Sequence, residues 1–204
     1  GLVLGGIEAV YLQPEYQPEF GIQMQVTVQQ IEAALAQDSK IKAVLLTSPN
    51  YYGVAADVRA IADCCHAHNA VLLVDEAQGP HLGFSELLPP SALQCGADAC
   101  AQSTHKILGA MTQCSMLHVQ GARLDLQRAA DVMSLLTTTS PNYLLMASLD
   151  AARAQVQVYG VMDMGFTYSH ISHQENADKF EMSNNMYAGS RFGFKGTEDL
   201  GHGT

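Results

Sequence analysis

"AVLLVDEAQGPHLGF", residues 70–84, decides how this chain folds. Apolar residues run without alternation from Ala70 to Val74, then stop at Asp75 and Glu76. An amphipathic helix would space its apolar residues three and four apart, and a half-exposed strand would alternate them. A short unbroken run that ends in charge and then in Gly-Pro reads as a strand with both faces buried. "IKAVLLTSP", residues 41–49, repeats the pattern: a continuous apolar run that ends in a turn.

Working outward, "AADVRAIADCCHAH" (55–68) joins these two strands and has the periodicity of an amphipathic helix, with Asn69 as its stop. "VTVQQIEAALAQ" (26–37) is a second helix: Val28, Ile31, Ala34 and Leu35 share one face, and Thr27 is its N-cap. "IEAVYLQP" (7–14) reads as a short strand that ends at proline. Downstream, "GADACAQS" (96–103) and "QCSMLHV" (113–119) are shorter strands. Residues 123–138 and 141–155 are two helices, punctuated by Ser140 and Pro141.

Alternating strands and helices define an α/β fold, a mainly parallel sheet with helices on both faces. This unit spans residues 1–155. Residues 156–204 differ: rich in Gly, Ser, Asn, Met and aromatics, they contain no long helical pattern. They read either as an irregular tail or as a small β-rich appendage.

Composition narrows the functional classes. The 204 residues are 48% hydrophobic and 15% charged, enough for one well-filled core. The net charge is −10 and Lys and Arg form no cluster, which argues against nucleic acid or an anionic membrane as partner. No apolar run is long enough to cross a bilayer. The "GLVLGG" start lacks Met and a basic segment, so it reads as an internal start and not as a signal peptide. The five cysteines, with no C-x-x-C pair, are expected to be reduced and mostly buried. No metal-ligand pattern appears; neighbouring Cys64 and Cys65 point to different sides of a helix.

In parallel sheets, ligands gather at the C-terminal ends of the strands. Asp75 ends strand 70–77, and Ser103, His105 and Lys106 follow strand 96–103. Taken singly, Asp75 is a turn cap and Lys106 a solvated loop lysine. Taken together, they match one cofactor. Pyridoxal phosphate needs a lysine amine for its aldehyde, a carboxylate beside its ring nitrogen, and donors for its phosphate. That amine must lose its proton to form the Schiff base, which a desolvated setting favours.

"PNYYGVAADV", "AVLLVDEAQGPHLGF", "LPPSAL", "GADACAQSTHKILGAMTQCSMLHV" and "TTSPNYLLMASLDAAR" resemble the Orn/Lys/Arg decarboxylases. These are fold-type I pyridoxal-phosphate enzymes, and the similarity is greatest to the biosynthetic group of bacteria, cyanobacteria and plastid-bearing organisms. It covers roughly residues 1–155, the central part of the large domain. The resemblance implies that Lys106 is the Schiff-base lysine and that Asp75 pairs with the pyridine nitrogen. Ala77 would lie under the ring, with Ser103 and His105 near the phosphate. Gln78 stands where the family commonly has histidine, and Pro80 precedes His81; both Gln78 and His81 would border the cofactor. Gln78 cannot titrate near neutrality.

The implied reaction is decarboxylation of arginine, lysine or ornithine to its amine, as in polyamine biosynthesis. A homo-oligomer in the cytoplasm or a plastid would be its setting. The family's ring-stacking residue and phosphate loop lie upstream of the matched segment. The alternative is therefore a non-catalytic fragment that binds cofactor weakly or associates with full-length subunits. Another fold-type I activity, aminotransferase or β-lyase, is a third reading, although Arg153 and Arg191 fit no carboxylate-binding motif. Glu76 and Glu86 are candidates to face a basic substrate side chain. His170, His173 and His202 read as surface histidines.

Overall fold

A computed structural model describes residues 1–154 and, beyond them, the strands at 157–161, 164–169, 179–184 and 191–195. The chain opens with a single helical turn, α1 (Leu2–Gly5), and a minimal hairpin of β1 (Tyr16–Gln17) and β2 (Ile22–Gln23). The strand expected at 7–14 does not form. Leu12 packs against the core, but Ile7, Val10 and Tyr11 are exposed, Val10 at 61% and Tyr11 at 75%. No described strand lies alongside to pair with it, and an unpaired strand leaves its backbone groups without partners.

The remaining elements follow the sequence pattern closely. Helix α2 (Val28–Gln37) starts at Thr27, whose hydroxyl accepts from the Gln30 amide while the Gln30 side chain accepts from the Thr27 amide. That reciprocal cap satisfies two otherwise orphaned donors. Strand β3 (Ala43–Thr47) leads into α3 (Val58–Ala67), capped by Asp57. Asn69 then turns the chain with a positive φ of 57°, as its short polar side chain permits, into β4 (Val71–Asp75). Strand β5 (Ala99–Gln102), the single turn α4 (Thr104–Ile107), β6 (Met116–Val119), α5 (Leu126–Leu136) and α6 (Tyr143–Ala154) complete the main unit.

The sheet order is β3-β4-β5-β6. The first three strands are parallel and β6 returns antiparallel on β5. Pleating sends alternate residues to opposite faces. The row Leu46, Val74 and Cys100 faces α2 and α3, where it meets Ile31, Leu35, Ile61, Ala62 and Cys65 in one buried core. At the far end, buried Asp98 accepts from the Leu72 amide at 2.8 Å and meets His66 Nε2 at 2.9 Å, tying α3 to two strands.

The sequence predicts helices on both faces; the described residues supply that cover on one. On the other face Leu45 is 72% exposed and Leu117 is 45% exposed. Beyond α6, β7 (Gln157–Val161) pairs antiparallel with β10 (Arg191–Lys195), and β8 (Met164–Ser169) with β9 (Lys179–Asn184). The described part of this segment is thus the β-rich alternative. His170, His173 and His202 lie outside the described residues.

All five cysteines are free, and only Cys64 is not fully buried. Burial pushes the Cys65 and Cys100 thiols up to about 12. A disulfide reagent at pH 8 should therefore label Cys64 first in the native protein, the other four only on unfolding; mass mapping of the labelled peptides checks this. Thr27→Ala should cost about 1 kcal/mol in urea denaturation through loss of the cap.

Candidate active site

The site is built where β3, β4 and β5 end. Thr47, Asp75 and Ala101 stand in one row across the three parallel strands, on the face the described helices leave open. Two backbone bonds close this row: Ser48 N to Asp75 O at 3.0 Å, and Glu76 N to Ala101 O at 2.9 Å. Asp75 Oδ1 accepts from the Ala77 amide at 3.0 Å, a local turn that sets its rotamer. Among the described residues no donor reaches its second oxygen.

Ser103 lies two residues beyond Ala101 and opens α4 without spending its hydroxyl on a cap. Thr104 turns inward; it is 2% exposed, and its hydroxyl finds no described partner. His105 is pinned: its amide and its Nδ1 both approach the Cys114 carbonyl, at 3.1 and 2.8 Å. A carbonyl only accepts, so Nδ1 carries the proton and Nε2 is the nitrogen left to a ligand. Lys106 is exposed and forms no ion pair with a described acid. Helix α6 holds the following loop, because Ser148 Oγ accepts from the Met111 amide at 2.7 Å and the Cys114 thiol approaches Leu145 O at 3.4 Å.

The sheet therefore brings Asp75, Ser103, His105 and Lys106 to one rim. Half-buried Ala77 and Gln78 sit on the turn that leaves it. His81 follows at the start of the 3-10 turn Leu82–Phe84, where burial lowers its imidazole below the usual range and favours the neutral ring. Glu76 is not available to a substrate. It is 1% exposed and faces the opposite side, accepting from the Ala92 amide and from Gln102 Nε2, both at 2.7 Å. Glu86 is exposed. Arg153 is held by Asp150 at 2.9 Å on the surface of α6, away from any carboxylate-binding role at this rim. Sequence reasoning missed Gln102 and His118. Glutamine and histidine inside strands carry no motif, and only the strand register brings them to Glu76.

The donor set matches pyridoxal phosphate in kind. The Lys106 amine has no described counter-ion, Asp75 keeps one oxygen free for a ring N–H, and Ser103 keeps its hydroxyl for a phosphate oxygen. His105 is a partial match: with Nδ1 protonated, Nε2 donates to a phosphate only when the ring is charged. Gly79 keeps this turn compact. A Cβ there would lie 2.6 Å from Glu76 Cγ and 2.8 Å from Pro49 Cδ, both in packed surroundings. Gly79→Ala should lower stability by about 1–3 kcal/mol in denaturant titration, by forcing the β3 and β4 ends apart.

Comparison with known proteins shows the family. A family model described as Orn/Lys/Arg decarboxylase, major domain, matches residues 1–180, running past the boundary expected near 155. An arginine decarboxylase of Halalkalibacterium halodurans is 42% identical over 166 residues, 81% of this chain and 34% of that protein. An arginine decarboxylase of Bacillus subtilis is 40% identical, over 78% of this chain and 32% of that one. A lysine decarboxylase of Pseudomonas aeruginosa is 30% identical, over 76% and 24%. The chain thus spans about a third of the length of the arginine decarboxylases it matches. Among solved structures, a methionine gamma lyase from Micromonospora echinospora is similar at 23% identity and a TM-score of 0.47, over 66% of this chain and 37% of that one.

Proposed function

The chain belongs to the Orn/Lys/Arg decarboxylase family, and from that premise we propose that it carries the cofactor-binding rim of a pyridoxal-phosphate-dependent decarboxylase of a basic amino acid. Arginine is the substrate we favour, since the relatives of highest identity given above are named arginine decarboxylases. The product would be the corresponding amine, a precursor for polyamine synthesis. The observation that supports the reading most directly is the placement of Asp75 and the 103–106 turn at the ends of adjacent parallel strands, with Asp75 beside Ala101, two residues before Ser103.

Each residue then has a defined task. Lys106 offers its amine as the covalent anchor for the cofactor aldehyde, and the exposure of that side chain leaves it reachable. Asp75, its rotamer set by the Ala77 amide, turns its free oxygen to the ring nitrogen and holds a proton there. Ser103 donates to the phosphate, and His105 does so when charged. Ala77 offers a small apolar contact to the ring. Gln78 orients by hydrogen bonds and moves no proton near neutrality. Bound pyridoxal phosphate supplies the electron sink as the substrate carboxylate leaves. The preorganised Asp75 charge makes that sink effective. Its removal should cost about 3 kcal/mol of barrier, in line with other fixed charge contacts.

A second reading keeps the cofactor and drops the catalysis. The open sheet face and the few phosphate donors at the rim favour a chain that holds pyridoxal phosphate weakly, or does so with other subunits of the family. In its relatives such a site would belong to a homo-oligomer. Among the described residues no helix is long and apolar enough to cross a membrane. The relatives reported above are bacterial, and none of them supports a plastid location.

Adding pyridoxal phosphate should raise an absorbance band in the near-ultraviolet to visible range that disappears in Lys106→Ala. Identical spectra for the two proteins would refute Lys106 as the anchor. Labelled CO2 released from carboxyl-labelled arginine, above that from lysine or ornithine, is the expected result for the catalytic reading. A wild-type band without CO2 from any of the three leaves the second reading standing.

A further inference from the structure

Glu76 follows Asp75 directly, yet the pleat sends the two carboxylates to opposite faces of the sheet. Asp75 reaches the open rim; Glu76 is buried against the helix side at 1% exposure. Burying a carboxylate is costly unless it is well paired. Burial does push the Glu76 carboxyl up, while the Gln102 and Ala92 hydrogen bonds pull it back. The proposed chemistry does not use this group, so a buried carboxylate beside the site calls for a reason.

Its partners supply one. Backbone pairing of β4 with β5 ends at Asp75 and Ala101, and Glu76 N to Ala101 O is the last main-chain bond. Beyond that point the Glu76–Gln102 contact at 2.7 Å is the next link between the strands, and Gln102 immediately precedes Ser103. Gln102 Oε1 in turn meets His118 Nε2 of β6 at 3.0 Å. The order of donors is set by Glu76. Both its oxygens accept, so Gln102 must present its NH2 to the carboxylate and its oxygen to His118, which then carries a proton on Nε2.

We propose that Glu76 is the positioning residue of this site: through Gln102 and His118 it locks the ends of β4, β5 and β6 together and so holds Asp75 at a fixed place relative to the 103–106 turn. The proposal rests on the cofactor reading given above. It makes Glu76 act through its neighbours, without touching cofactor or substrate.

The relay itself is read without cofactor. In Glu76→Gln, the new amide keeps its oxygen on the Ala92 N–H and turns its NH2 to Gln102. Gln102 must then flip, and His118 must offer a lone pair at Nε2. Long-range proton–nitrogen NMR of the imidazoles, with His118 assigned by its loss in His118→Asn, should therefore show Nε2 protonated in wild type and unprotonated in Glu76→Gln. A purely packing role for Glu76 would leave the tautomer unchanged, and that result overturns the proposal.

Its effect on the rim is read with pyridoxal phosphate. Gln102→Glu sets two carboxylates face to face and should weaken binding about tenfold or more, the equivalent of one charge-assisted hydrogen bond. Glu76→Gln combined with Gln102→Glu restores every donor and acceptor in reversed order and should recover the affinity. At saturating cofactor, the pH midpoint of the absorbance band, which senses the charge beside the ring, should move in the single variant and return in the double. Wild-type binding by Gln102→Glu, or a double variant that folds but recovers nothing, overturns the proposal. A wild-type chain with no band refutes the cofactor reading and this proposal with it, whatever the NMR result.

Discussion

The pleat of β4 is the constraint on which the rest of the structure depends. Leu72 and Val74 are buried beneath α2 and α3, and that burial sets which way every other residue of the strand must point. Asp75 is forced to the open face and Glu76 to the covered one. A slip of one residue would exchange the two carboxylates, burying the one with a free oxygen and exposing the one with buried partners. The hydrophobic contacts of Leu72, Val74, Ile61 and Cys65 therefore specify the electrostatics of the rim, although none of them lies in it.

The second tier of organisation comes from polar groups that are buried and satisfied. Asp98 anchors the start of β5 through the Leu72 amide and His66. At the other end, Glu76 and Gln102 carry the β4–β5 pairing past its last backbone bond. The Cys114 carbonyl holds His105 from the far side of the rim, and Cys114 is itself linked to α6. The 103–106 turn is thus gripped at Gln102 and at His105, while Lys106 just beyond them stays exposed. This gives the Lys106 side chain a fixed origin and a free end.

Much of this was legible in the sequence, for identifiable reasons. Unbroken apolar runs at 41–49 and 70–77 revealed strands of a parallel sheet, and three- and four-residue spacing revealed α2 and α3. Asp75 and Lys106 stood out because each follows an apolar run and the chemistry of one cofactor requires both. The strand expected at 7–14 did not form, because a short local segment cannot tell whether a partner strand exists. Glu76 was read as a candidate substrate contact, because a charged residue beside Asp75 looks accessible until the pleat is known. The motifs that carry the resemblance cover roughly residues 1–155, and the family model extends over residues 1–180.

By itself, then, the sequence determined most element types, the position of Asp75 at a strand end and of Lys106 just beyond one, and the family to which they belong. These depend on local periodicity and on the identity of adjacent residues. Only the tertiary structure decided which carboxylate faces the rim, which nitrogen of His105 remains for a ligand, and that Gln102 and His118 belong with Glu76. The first follows from burial of β4 beneath the helices and the second from the Cys114 carbonyl; the third follows from register between strands, where groups from residues 76, 102 and 118 meet although nothing in their local sequence refers to the others.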